Sequence, residues 1–280
     1  FFMHKNTLWS VMKPLVTNLA ILTLLYTLFL SSSLAAGVKP LPGLQKAVED
    51  IRFHHKGEGL SFLAEKEYQV RKYYYEIQSK MQKLEILEEV KEHFEKAVTK
   101  TEEKYDSGEE EVSQSSITKL KLGLAGTLND ILELDSDITV ARLSMADMFN
   151  ENYSVDAEMR ESVIDPVDFK FNDYEKWFKD SGLTAVTKDL NNELDLRVCY
   201  LKVVENREKL QLAQKNRKIT RALLVSEAAN YDFGIGDPGD LFEALIIYTR
   251  VLGGYYDAVY NFNVSVAELN RVKAPWTGNL

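Results

Sequence analysis

Residues 240–269, DLFEALIIYTRVLGGYYDAVYNFNVSVAEL, decide the fold. Leu241, Leu245, Tyr248, Leu252, Tyr255, Val259, Phe262, Val266 and Leu269 follow one another at alternating steps of four and three. That spacing keeps one apolar stripe of a helix against a neighbour through a left-handed supercoil. A second stripe is turned around the same helix: Ala244, Ile247, Val251, Gly254, Ala258, Asn261 and Ser265. Its residues are mostly small, so another neighbour can come close. Upstream, Ile117, Leu120, Leu124, Thr127, Ile131, Leu134, Ile138, Ala141 and Met145 form one comparable stripe. Two stripes on one helix suit a sheet of helices closed into a tube, whereas a compact bundle with broad apolar faces gives similar spacing. Length favours the tube, because a helix of ~40 residues extends about 60 Å and has to pack sideways.

Outward from this helix, the chain reads as two similar halves. A short helix is expected from Leu44, ending at the break Lys56-Gly57-Glu58-Gly59. The first hairpin spans 60–150, with its tip at 106–112; its first helix is rich in Glu, Lys, Gln and Leu, all good helix formers. Ser113 or Ser115 is the expected cap of the second helix. Residues 151–189 form an irregular connection, in which 165–171 reads as one short strand or an extended loop, and Asp180-Ser181-Gly182 is a further break. The second hairpin spans 190–273, with its tip at 232–239, and Asp240 is the expected cap of the last helix, which should stop before Pro275. The tail 274–280 is expected to fray. The repeated order of long helix, glycine turn and long helix suggests an internal duplication that sets Tyr105-Asp106-x-Gly108 on Tyr231-Asp232-x-Gly234. The fold class expected is all-α, two long antiparallel coiled-coil hairpins with little or no β.

Composition narrows the function. The chain has 280 residues and a net charge of −9, and an acidic surface repels phosphate backbones, which argues against nucleic acid as a partner. Its single cysteine, Cys199, cannot form an intramolecular disulfide. Lys5 and Lys13 precede or border a charge-free run from Leu15 to Leu30, followed by Ser31-Ser32-Ser33-Leu34-Ala35-Ala36-Gly37. With Met3 as the expected start, residues 1–36 read as a cleaved secretory signal, against the alternative of an uncleaved anchor. Residues 37–59 would then be a linker and the short helix.

Asn230-Tyr231-Asp232-Phe233-Gly234-Ile235-Gly236-Asp237-Pro238-Gly239-Asp240-Leu241-Phe242-Glu243-Ala244 resembles the periplasmic tip of a helical hairpin in the TolC family of outer-membrane efflux ducts. The tyrosine- and asparagine-rich run Tyr255 to Leu269 is similar to that family's final helix, and the tip Tyr105 to Ser113 looks like a diverged copy. The resemblance implies an exported protein of the periplasm, possible outer-membrane association, and a homo-oligomer, a trimer. It also implies lateral closure of the hairpins into a duct, and contact with a periplasmic adaptor and an inner-membrane pump. One departure matters: each half of the family inserts a pair of membrane strands ahead of its tip hairpin, and here Leu60 to Tyr105 and Leu190 to Tyr231 run on as helix. The duct could survive without membrane insertion, so a non-conducting coiled-coil scaffold or adaptor-like protein remains the alternative. A third class, a ligand-binding bundle, would bury both stripes within one chain.

The candidate sites follow from this. Gly108, Gly234, Gly236, Asp237 and Gly239 are the candidate partner-binding residues at the tips, because glycines let a partner backbone approach. Gly234-x-Gly236-x-x-Gly239 also fits a dinucleotide fingerprint, but that chemistry needs a strand before the glycines, and a helix precedes them. Asp106, Glu109, Glu110 and Glu111 could form an acidic ring at a pore mouth, against the plainer reading of acids at a helix N-terminus. His54-His55 with Glu58 lacks a third histidine and a shared helix face, and His93 stands alone among charges. No metal site, no cofactor site and no pairing of nucleophile with base is read, so the chain is not expected to be an enzyme.

Overall fold

The computed structural model describes residues 41–108, 112–149, 159, 161–183 and 190–277. The expected leader at 1–36 and the acids Glu109, Glu110 and Glu111 lie outside these. Among the described residues there are six helices and no strand: α1 (Leu44–His54), α2 (Leu60–Asp106), α3 (Gln114–Phe149), α4 (Tyr174–Asp180), α5 (Leu190–Asp232) and α6 (Pro238–Thr277). The 47 residues of α2 make a rod of about 70 Å.

The long helices lie side by side in one layer. α3 packs on α2, α2 on α6 and α6 on α5, with a smaller contact of α3 on α6 near Gly123 and Phe242, so the far sides of α3 and α5 are the two edges. α6 runs antiparallel to α2, as the contacts Tyr248 to Glu89, Lys83 to Asp257 and Arg271 to Glu65 show. Every position of the first α6 stripe is buried except Val266, which is partly buried. Leu245, Val259 and Leu269 retain no more than 1% of their surface, and burial of each such side chain is worth about 1.5–3 kcal/mol. This stripe fills the groove between α2 and α5. Its tip half meets Val90, Phe94 and Tyr231, and its far half meets Leu196, Tyr200 and Val203. Burial, with the Glu89 carboxylate that accepts its proton at 2.8 Å, pushes the Tyr248 phenol up to about 12. The small-residue stripe is covered less: Ala244 and Ser265 are buried, but Gly254 and Asn261 are exposed. Within one chain, α6 therefore does not use its second stripe fully.

The α3 stripe from Ile117 to Met145 is buried or partly buried along its whole length against α2. Ser113 caps α3, its hydroxyl accepting from the Ser116 amide at 3.1 Å. α1 folds back on the first turns of α2, where Leu41, Val48 and Ile51 join Tyr74 and Met145 in a core.

Three local features differ from the sequence reading, and residues 165–171 take the second of their two expected forms, an extended loop in no sheet, because side chains take up its backbone groups. Asn263 accepts from the Val167 amide at 2.9 Å and donates to Asp165 O at 2.8 Å, Gln78 donates to Glu161 O and Val163 O, and Arg207 donates to Phe171 O. The short α4 was not read; Asp173 caps it by accepting from the Lys176 amide, and its Trp177 is buried on Tyr200. α6 does not stop before Pro275 but continues through it to Thr277. A proline this close to a helix end removes one hydrogen bond to the preceding turn without breaking what lies upstream. The cap of α6 is Asp237 rather than Asp240, as described below.

Gly123 and Gly126 of α3 give opposite expectations. A Cβ on Gly123 would lie 2.6 and 2.7 Å from Phe94 ring carbons and 3.0 Å from Phe242, whereas one on Gly126 would meet nothing within 4 Å. In urea denaturation, Gly123→Ala is expected to cost about 1–2 kcal/mol net, and Gly126→Ala to gain up to about 1 kcal/mol from helix propensity.

Candidate partner interface at the hairpin tips

Both tips lie at the same end of the layer and are tied together there. The Thr101 hydroxyl of α2 lies 2.6 Å from the Tyr231 hydroxyl of α5, and the Tyr231 hydroxyl also donates to Ala97 O at 3.1 Å. Lys100 donates to the carbonyls of Tyr231 and Asp232 at 2.9 and 2.8 Å, with its ammonium 5.0 Å from the Tyr231 ring centroid. A cation on the last carbonyls of a helix neutralises the negative end of its dipole. The first hairpin thus closes the end of the second.

The two turns share a geometry. Gly108 and Gly234 have φ of +80° and +78°, and their amides donate to Tyr105 O and Tyr231 O, each at 3.1 Å. This supports the register that pairs them as copies. Their tyrosines have diverged: Tyr231 is buried, while Tyr105 is 44% exposed.

The second turn is built more tightly. Gly234 adopts the left-handed conformation, Ile235 N–H reaches back to Asn230 O at 3.0 Å, and this pairing satisfies the last carbonyls of α5. At Gly236 any Cβ would lie 2.8 Å from the Tyr231 nitrogen, so only glycine fits. Asp237 then starts α6. Its carboxylate accepts from the Gly239 amide and its carbonyl from Leu241, with Pro238 at the first helical position. Asp240 lies one turn inside, as an acid near the positive end of the helix. Gly239 lies in the first turn of α6 rather than in the connection. The Gly-x-Gly-x-x-Gly run follows a helix, not a strand.

Of the proposed contact residues, Gly108, Gly234 and Asp237 are exposed, and Gly236 and Gly239 are partly buried. Asp106 is exposed in the last turn of α2. The sequence reading did not single out Phe233 and Ile235, which are 82% and 80% exposed in the same turn. Two large apolar side chains held out by a rigid turn are the expected form of a contact anchor. Their clue was apolar character inside a turn otherwise made of Gly, Asp and Pro.

The layer's edges are a second surface. On α5, Leu196, Val203, Leu210, Leu224 and Tyr231 face α6, while Leu194, Leu201, Leu212 and Ile219 are 60–70% exposed. On α3, Leu122, Leu132, Val140 and Leu143 are 49–70% exposed. Charge differs between the edges: residues 130–137 carry four acids and no base, and residues 209–221 carry five bases and no acid. The two bands lie at one level. Asp137 bonds Lys80 at 3.0 Å, Ser79 donates to Tyr256 O, and Arg217 stacks 4.6 Å over Tyr255.

Among the described residues, no group of His, Cys, Asp and Glu is arranged to hold a metal. No described helix is long and apolar enough to cross a membrane. The His54 ring lies 2.7 Å from its own helix's Asp50 O, and the Cys199 thiol is buried, with burial raising its pKa.

Capping predicts a ranking at the second tip. Asp237→Ala is expected to lower stability by about 1 kcal/mol and Asp240→Ala by a few tenths at about the level of a dipole effect, both read from urea midpoints.

Comparison with known proteins places this architecture. No protein-family model matches the chain, and no curated protein matches it. A solved structure does: the outer-membrane channel OprN, with a TM-score of 0.64 and 11% identity over 83% of this chain and 71% of that one. The chain has the helical-hairpin fold of that channel.

Proposed function

We propose that the chain is a TolC-like component of an efflux or secretion system, exported to the periplasm, whose hairpins assemble laterally into a duct and meet an adaptor at their tips. The observation that carries this reading is the pair of open edges. α3 and α5 each leave an apolar stripe in water, and an acidic band on one stands level with a basic band on the other. Joining α3 of one copy to α5 of the next is a head-to-tail contact, and such a contact makes a ring where its rotation closes. Three copies make the ring of the TolC family, and the half-covered small-residue stripe of α6 leaves room for close neighbours. Phe233 and Ile235 are the anchors offered to an adaptor, and an inner-membrane pump supplies transport. The chain acts as a conduit part rather than an enzyme. The likeness to an outer-membrane channel supports this reading at the level of fold.

A second reading, a non-conducting periplasmic scaffold, is favoured by one observation. The connections ahead of α2 and α5, residues 55–59 and 181–189, hold five and nine residues, and a pair of spanning strands needs about 9–11 residues for each strand.

Charge reversal tests the assembly. Glu133→Lys with Asp135→Lys is expected to weaken self-association at least about tenfold in sedimentation equilibrium, as is Lys218→Glu with Arg221→Glu. Mixing the two double variants should restore mixed dimers, because opposite edges meet again between the two kinds of copy while a three-membered ring would keep one repulsive contact. Unchanged association in both would overturn the edge pairing. Phe233→Ser with Ile235→Ser should leave assembly intact while abolishing adaptor capture.

A further inference from the structure

One level of the helical layer is a template for the next. Toward the tips, the Phe94 ring of α2 and the Phe242 ring of α6 lie 6.1 Å apart, both against Gly123 of α3. Aromatic carbon fills the space between α3 and α6 there. One heptad farther from the tips, the equivalent positions are Leu87, Thr249 and Asp130. Neither aromatic ring recurs, and a cleft of about 230 Å³ opens over α2 between α3 and α6. Ile86, Leu87 and Leu134 give it apolar surface. Gly253 widens it, because nothing lies within 4 Å of where a Cβ on that residue would stand. An apolar cavity of ~150 Å³ holds one benzene ring, so this cleft has room for a ring and a small head group.

The rim is acidic, and most of its polar groups are already engaged. Lys83 bonds Asp257, Asp137 bonds Lys80, Lys80 also bonds Glu76, and the Thr249 hydroxyl donates to Leu245 O. Asp130 and Glu133 are exposed and pair with no cation among the described residues. Taken together, Asp130, Glu133, Asp137, Asp257 and Glu76 stand against Lys80 and Lys83, five acids to two bases. Along α3, Glu133 stands three residues from Asp130 and four from Asp137, spacings at which like charges repel. A cation in the cleft relieves that repulsion. A bare metal ion gains nothing from the apolar surface, and no group among the described residues is arranged to hold one.

We propose that this cleft binds an aromatic cation, its ring on Ile86, Leu87 and Leu134 and its ammonium beside the carboxylates of Asp130 and Glu133. The ring gains by leaving water, as Phe94 and Phe242 do one heptad away, and the two unengaged carboxylates fix the sign of the head group. The cleft lies on a face of the layer, over α2, so the proposal does not rest on lateral assembly and either can fail without the other. Asp130 and Glu133 also belong to the acidic band assigned above to the edge, and the test therefore reads competition from a neighbouring copy.

The probe is para-fluorobenzyltrimethylammonium, titrated with the full chain and read by the linewidth of its fluorine NMR signal. Para-fluorobenzyl alcohol and para-fluorobenzenesulfonate are the neutral and anionic comparators. The cation should bind with a dissociation constant on the order of 1 mM. It should bind about tenfold more tightly than the alcohol, and the sulfonate should not bind. Asp130→Asn with Glu133→Gln should remove the preference for the cation. Thr249→Phe repeats the arrangement at Phe242, and Gly253→Leu fills the widened wall with a better helix former. Each should abolish binding without lowering the urea midpoint. Cation binding that survives both filled clefts would overturn the proposal, as would equal affinity for the alcohol. So would binding seen only with the Lys218→Glu, Arg221→Glu chain, because a neighbouring copy's cation would then be the occupant.

Discussion

A helix of forty or more residues cannot bury its own apolar stripe, and every other feature of the molecule answers that constraint. The stripe from Leu241 to Leu269 is the longest such demand, and α2 and α5 together meet it. Because both flanking helices are themselves long, their far sides pose the same problem again. α2 is covered by α3, and α5 is left open. A single layer of helices, unlike a bundle, always ends in two unsatisfied edges. The bands of opposite charge on α3 and α5 are a physical reason for those edges to find each other rather than themselves.

The parts of the fold governed by local periodicity were legible in the sequence. The α6 and α3 stripes lie where their spacing puts them, Ser113 caps α3, and the turns at Gly108 and Gly234 adopt the left-handed backbone that glycine permits. Long-range contacts hid the rest. For residues 165–171 composition left strand and extended loop both open, because the side chains that hold them, Asn263 and Arg207, lie far away in sequence. The open stripe of α5 is interrupted by Glu205, Glu208 and Lys215, so its apolar positions do not stand out until burial is known. Asp237 was readable as a cap from the proline that follows it, yet Asp240, closer to the apolar run, drew the assignment.

At the tips, the sequence reading singled out glycines and Asp237, and the structure shows what these residues do for the backbone. The glycines make the geometry, and Gly236 is required by a backbone 2.8 Å from where its Cβ would be. What the geometry presents is Phe233 and Ile235. The rigid turn, locked by Tyr231 to Thr101 and by Lys100 to the last carbonyls of α5, keeps these side chains from folding back on the layer. If the proposed adaptor contact forms here, much of its ordering cost is already met by this turn.

The edge-to-edge contact is the central claim, and cross-linking reads it most directly. Leu132 and Ile219 are each 70% exposed on opposite edges. In a Cys199→Ala background, Leu132→Cys with Ile219→Cys is oxidised and resolved by size. The account predicts disulfide-linked oligomers that end at one closed size, with neither single-cysteine variant forming a linked dimer. A chain that stays monomeric, or a single variant that links to its own copy, would contradict it.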